Sequence, residues 1–317
     1  MAVFTKLDEK DINEFLTSYN LGKLNSYQDI VEGIENTNYK IICDGAPYIL
    51  TIFEKRVNKN DLPFFMDLKF YLNENNFSCP KPIKDINGNV INSLKNKKAV
   101  IISFIEGNKI EISGQDICKE IGKITGKLHK LTNQFDLKRK NSLSLEEWKK
   151  IFFKCSKEEN NQFKEILDNL KIELPIIEKK WPKHLPSGII HADLFKDNIF
   201  FIDNKVSGVI DFYFSCYDFY LYDIAILVND WCFEKKGSVF NKNLFNSILN
   251  GYNSERKLQD IEIESFNIIL RAAAVRILVT RLHDFMFHPN DAIVIKKDPI
   301  EYYEILKWHQ HNSVIEV

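Results

Sequence analysis

No uninterrupted apolar run in the 317 residues approaches the roughly 20 needed to cross a bilayer. The longest, such as Ile224–Val228, have the length of core strands or helix faces. Met1 to Lys10 lacks a basic segment followed by a long apolar one, so no secretory leader is read there and the expected location is cytoplasmic. An excess of either charge is also missing: 43 Lys and Arg stand against 44 Asp and Glu, a formal net charge of −1. No general field draws the chain to nucleic acid or to an anionic membrane, although local patches can still bind phosphate. Cysteine is sparse and scattered, at 43, 79, 118, 155, 216 and 232, with no Cys-x-x-Cys and no Cys/His cluster. That argues against a zinc site and predicts dispersed, reduced core thiols. Internal repeats and low-complexity tracts are absent too. What remains is 44% apolar and 27% charged, an ordinary globular mix long enough for one large domain or two modest ones. Nothing in it speaks to oligomeric state.

The pattern changes near residue 105. Before it, Asp8–Ser18 has helical periodicity, with Ile12, Phe15 and Leu16 on one face and Asp8 as N-cap. Tyr39–Cys43 and Tyr48–Phe53 are β-branched and aromatic runs about Asp44-Gly45-Ala46-Pro47, a hairpin signal. Asp61 and Pro63 predict the start of a helix running to about Asn75. A second hairpin is expected to turn at Asn87-Gly88, and Ala99–Ile105 reads as a buried strand. After Glu106-Gly107, helical spacing dominates over Asp116–Leu131, Leu145–Phe153 and Glu159–Leu170, then Tyr222–Trp231 and about Ile261–Phe287. An embedded β-rich stretch, Gly188–Phe214, turns at Asp203-Asn204-Lys205. The expectation is a bilobal α+β, protein-kinase-like fold: a β-rich N-lobe over 1–105 that binds nucleotide, and a mainly helical catalytic and substrate-binding C-lobe over 106–317.

The chemistry concentrates in His191-Ala192-Asp193-Leu194-Phe195-Lys196-Asp197-Asn198, followed by Asp211. An Asp with an Asn five residues later has the spacing of a kinase catalytic loop. Phosphoryl transfer needs a carboxylate to accept or orient the proton of the attacking hydroxyl, the task assigned to Asp193. It also needs oxygen ligands for Mg²⁺, assigned to Asn198 and Asp211. A hairpin over Ile199–Ile210 is expected to bring its two ends to one edge. An acid closing the apolar run Val209-Ile210-Asp211-Phe212 needs a cation or hydrogen bonds. The bland alternative is a structural turn with a helix cap at Asp211.

These residues resemble the signature of the aminoglycoside phosphotransferase and choline kinase superfamily, as do Tyr222-Asp223-Ile224-Ala225 and Gly126-Lys127-Leu128-His129. Within it, Glu32–Tyr39, Tyr48–Arg56, Asp61–Phe65, His191–Phe201, Ile210–Cys216 and Asn229–Glu234 are similar to the homoserine-kinase branch. The resemblance implies ATP and Mg²⁺, O-phosphorylation of L-homoserine, a place in threonine biosynthesis, and His191 beside the substrate. Other acceptors stay open: an aminoglycoside, choline, a sugar, or none at all in a nucleotide-binding pseudokinase.

Two departures stand out. Glu32–Tyr39 holds Gly33 but no Gly-x-Gly-x-x-Gly, so backbone N–H groups with Asn36 and Thr37 are expected to meet the phosphates. Thr51 falls where kinases carry a third-strand Lys and Phe65 near its usual Glu partner, which leaves Lys55 or Arg56 as the phosphate cation. Glu106 marks the expected adenine hinge. On the late helix, Arg276, Thr280 and His283 form a polar stripe at i, i+4 and i+7. Arg276 is therefore the first candidate for the substrate carboxylate and Arg281 the second, with Asp284 as a competing partner for Arg281. Gly122 and Gly126 read as close-packing positions, His129 as a core hydrogen-bonding residue, and Lys95–Lys98 as a solvated hairpin edge.

Overall fold

The computed structural model describes residues 4–30, 36–54, 57–158, 161–287 and 297–315. The chain divides into two compact units, Met1–Gly107 with Ser207–Tyr213, and Asn108–Val206 with Phe214–Val317.

The smaller unit starts with α1 (Glu9–Leu16), whose Asp8 cap forms a reciprocal capping box with Asp11 and whose Ile12, Phe15 and Leu16 are buried. Strands β1 (Leu24–Ile30), β2 (Asn36–Cys43) and β3 (Ala46–Phe53) follow, then α2 (Leu62–Glu74), β4 (Asn92–Leu94) and β5 (Lys97–Ser103). They form an antiparallel sheet in the order β1-β2-β3-β5-β4. The β2–β3 turn is tighter than the four residues read from sequence. Asp44 and Gly45 alone close it, at φ 44° and 83°, the doubly left-handed turn that matches strand twist. The continuous apolar run of β5 has a simple cause, since both faces are covered. Ala99 and Ile101 pack with the α1 side chains, while Val100 and Ile102 pack with Phe65 and Met66 of α2.

Two expectations fail here. The second hairpin turns at Lys95-Asn96, at φ 49° and 60°, not at Asn87-Gly88. Asn87-Gly88 belongs to a local turn closed at Asp85, whose side chain accepts the Asn87 and Asn89 N–H groups and whose backbone bonds Gly88 and Asn89. Asp61 occupies the N-cap position of α2 but makes no side-chain cap bond; Pro63 does the work of starting the helix.

The larger unit holds α3 (Gln115–Thr132), α4 (Leu145–Ser156), α5 (Lys164–Lys180), β6 (Ser187–Ile190), β7 (Ile199–Ile202), β8 (Lys205–Val209, which runs on into the smaller unit), β9 (Cys216–Phe219) and α6 (Tyr220–Trp231). It ends with β10 (Phe233–Glu234), β11 (Val239–Phe240), α7 (Lys242–Glu255), α8 (Asp260–Phe287) and α9 (Ile300–His311). Helix α5 continues through Pro175 to Lys180, ten residues past the end read from sequence at Leu170. Helix α8 is buried on all sides from Ala272 to Val279, which makes it the central rod of this unit. Helices α3 and α7 approach closely at glycines on both: a Cβ on Gly122 would lie 2.0 Å from the Ile248 carbonyl oxygen, and one on Gly251 2.0 Å from that of Lys119. All six cysteines are free and buried.

Candidate active site

In the larger unit, β6 ends at Ile190 and delivers the chain into the loop 191–198. The loop is held by a carboxylate beneath it. Asp223, in the first turn of α6, accepts the N–H groups of His191 at 2.9 Å and Ala192 at 2.8 Å. It also lies 3.0 Å from Nε2 of His129, whose Nδ1 is 2.8 Å from the Tyr252 hydroxyl. Arg256 donates to that hydroxyl and makes a twin contact with Glu262. Burial drives His129 toward its neutral form, so the bonds run one way: Arg256 to Tyr252, Tyr252 to His129 Nδ1, and His129 Nε2–H to Asp223. Burial pushes the Asp223 carboxyl up, but the hydrogen bonds from His129 and from the loop N–H groups outweigh it and leave it below the usual carboxylate range.

Ala192 sits at φ +63°, a left-handed conformation that costs a non-glycine residue about 1 kcal/mol or more. It is held from both sides, with its N–H on Asp223 and its carbonyl accepting Nη1 of Arg276 at 2.9 Å. This kink turns Asp193 outward. Its carboxylate is 15% exposed, 3.6 Å from Nη2 of Arg276. Asn198 donates Nδ2 to the Asp193 carbonyl at 2.8 Å and to its carboxylate at 3.0 Å. The amide nitrogen being committed, the Asn198 carbonyl oxygen is left as a hard donor suited to Mg²⁺.

The structure brings Asp193, Asn198 and Arg276 together and reassigns others. His191 is wholly buried and accepts the Asp193 N–H, a loop-holding role with no surface for substrate. Arg276 is 3% exposed, packed over Phe214 and committed to the loop, so it is a poor grip for a ligand carboxylate. The polar stripe does not converge. Thr280 bonds back to its own helix, and His283 meets Lys154 and Asp284. Arg281 pairs with Glu301 rather than Asp284, and Arg271 closes a two-bonded ion pair with Glu173.

In the smaller unit, Asp211 also lies at a positive φ, 63°, just beyond β8 and ahead of a 3₁₀ turn. Beside it Lys69 of α2 is buried, with Nζ 3.2 Å from the Tyr213 hydroxyl and 4.3 Å from the ring centre. Burial lowers this ammonium to about 8. The expected phosphate cations Lys55 and Arg56, and Gly33 of the expected phosphate loop, lie outside the described residues. Asn36 and Thr37 belong to β2 rather than a loop. Thr37 is fully buried: its hydroxyl bonds Glu54 and accepts the Phe4 and Thr5 N–H groups, so it fastens the N-terminal segment and does not reach phosphate. Glu106 lies just past β5, its carbonyl taken by the Ser207 hydroxyl. Among the described residues no three His, Cys, Asp or Glu side chains gather as a metal cage.

The phosphotransferase enzyme family model matches residues 26–256. The homoserine kinase of Rhizobium meliloti is 42% identical over 310 residues, covering 98% of this chain and 95% of the relative. That of Agrobacterium fabrum is 41% identical over 310 residues, covering 98% and 96%. Among solved structures, an amicoumacin kinase in complex with AMP-PNP, Ca²⁺ and Ami aligns with TM-score 0.74 at 17% identity over 96% of this chain and 93% of that one. A microcompartment-associated aminopropanol kinase aligns with TM-score 0.67 at 15% identity over 96% and 94%.

Proposed function

Since the chain belongs to the phosphotransferase enzyme family, with homoserine kinases matching nearly its whole length, we propose that it is an ATP-dependent homoserine kinase making O-phospho-L-homoserine for threonine biosynthesis. The observation that carries the reading is the Asp193 carboxylate, held by Asn198 and Arg276 at the tip of a loop whose backbone is locked by Asp223. In the reaction the acceptor hydroxyl oxygen forms a bond to the γ-phosphorus as the bond to the β–γ bridging oxygen breaks. The hydroxyl proton passes to Asp193, and ADP leaves. Arg276 and Asn198 hold the carboxylate in place, the first at 3.6 Å and the second by a hydrogen bond.

The metal is assigned as Mg²⁺, held through the oxygens of Asn198 and Asp211; it neutralises phosphate charge when bound. The lobe 1–105 is assigned to nucleotide, with Gly33, Asn36 and Lys55 toward phosphate and the Glu106 segment toward adenine. The lobe 106–317 is assigned to acceptor and catalysis, and the enzyme to the cytoplasm. A coupled ADP-release assay with homoserine, threonine, choline and kanamycin tests the reading. Homoserine is expected to give the highest kcat/KM. ADP release that is faster with choline or kanamycin, or absent with every alcohol, overturns it.

A further inference from the structure

A pocket of about 260 Å³ opens in the larger unit, among Phe195, Asp197, Asp230, Arg281, Lys297 and Glu301. Resting on the proposed homoserine kinase activity, we infer that this pocket seats the amino-acid end of the acceptor, with Arg281 and Lys297 gripping its carboxylate and Asp197 and Asp230 its ammonium.

One wall of the pocket is the catalytic loop itself. Phe195 lies two residues past Asp193 and donates its N–H to the Asp193 carbonyl, and Asp230 at the end of α6 accepts the Lys196 N–H at 2.8 Å. Arg281 of α8 lines the pocket as well. Arg276, beside the Asp193 carboxylate, and Arg281, in the pocket, stand on the same helix five residues apart. Homoserine carries its hydroxyl three bonds from the carbon that bears the ammonium and the carboxylate, so its two ends need neighbouring sites, and Phe195 in the pocket wall is two residues from Asp193.

The charges are of both signs, as a zwitterion requires. Arg281 is fixed in advance: its guanidinium lies 4.4 Å from the Tyr302 ring centre, and Nη1 bonds Glu301 at 2.6 Å and the Asp298 carbonyl at 3.2 Å. Held so, the planar fork is orientated for a carboxylate. Lys297 and Asp197 pair at 2.9 Å with both side chains more than half exposed. A pair that exposed is weak, and a ligand bearing one charge of each sign replaces it without leaving either partner alone. Burial raises the Asp230 carboxyl despite Lys196 nearby, so an incoming ammonium is its natural complement. Choline and aminoglycosides bring no carboxylate for Arg281 and Lys297.

Titration calorimetry and steady-state kinetics with L-homoserine, 3-amino-1-propanol and 4-hydroxybutanoate decide the matter. These probes carry both charges, only the ammonium and only the carboxylate. Wild type is expected to bind homoserine tightest. Arg281→Lys and Lys297→Met are each expected to weaken homoserine and 4-hydroxybutanoate by about tenfold or more. They should leave 3-amino-1-propanol and KM for ATP near wild type, and the exposed Lys297→Met should leave melting temperature near wild type as well. Asp197→Asn should show the mirror pattern, weakening the two amines and sparing 4-hydroxybutanoate. If wild type binds homoserine and both cation variants keep its affinity within twofold, the pocket assignment is wrong and the kinase reading stands. If wild type binds none of the three probes, the kinase reading has failed and this inference falls with it.

Discussion

Asp193 is useful because its neighbours leave it little freedom. Asn198 holds the carboxylate, Arg276 supplies a cation at 3.6 Å, and the kink at Ala192 aims it outward. Replacing Asp193 with Asn preserves shape and removes the proposed proton acceptor, so kcat is expected to drop by roughly 10²–10⁴. Titration of ATP with Mg²⁺ should still show binding, and a variant with near-wild-type kcat would remove Asp193 from the base role. The sequence made the pairing of Asp193 with Asn198 legible because five residues of one loop lie close by necessity. It did not reveal the partners that hold the loop. Arg276 reaches Ala192 across 84 residues and Asp223 reaches His191 across 32, and spacing along a chain carries no record of such meetings. Asp223 offered one signal, an acid in the first turn of a mostly apolar helix, where burial demands partners. Lys297 offered none.

At the scale of elements, backbone contact between α3 and α7 sets the strictest demand. In an exposed helix, Gly→Ala stabilises by up to about 1 kcal/mol. At Gly122 the sign reverses, because the new methyl would sit 2.0 Å from the Ile248 carbonyl oxygen and two backbones must separate. Gly122→Ala is expected to cost roughly 2 kcal/mol or more, read as a lower urea midpoint at unchanged slope; a midpoint at or above wild type would contradict the packing account. Elements with strong local instructions were legible: α1 from its cap and apolar face, β2–β3 from its turn, β5 from its apolar run. The others were settled by competing forces. Asn87-Gly88 has hairpin chemistry, but side-chain and backbone bonds to Asp85 close that turn locally, and Pro175 is carried inside α5 by the burial of Leu170, Leu174 and Ile177.

The whole molecule should show acid sensitivity with a definite origin. His309 on α9 is buried and sits 2.8 Å from Asn229 Oδ1; burial, then the Arg271 charge, lowers it to about 3. An unfolded His titrates near 6.5, so below that pH the unfolded chain takes up a proton that the folded one refuses. Stability is therefore full above about pH 6.5 and falls steadily toward pH 3, by about 2 kcal/mol at pH 5 from this ring alone. His309→Gln should lose less stability between pH 7 and pH 5 than wild type in urea titrations, and an unchanged difference would place the sensitivity elsewhere. The support of the catalytic loop also orders events during synthesis. Residues 191–198 leave the ribosome well before Tyr252 of α7, which completes the chain of bonds to Asp223, and before Arg276 of α8, which secures Ala192. An unfinished chain ending between them carries the proposed base, Asp193, without the parts that aim it, so on this reading phosphoryl transfer waits for the late helices.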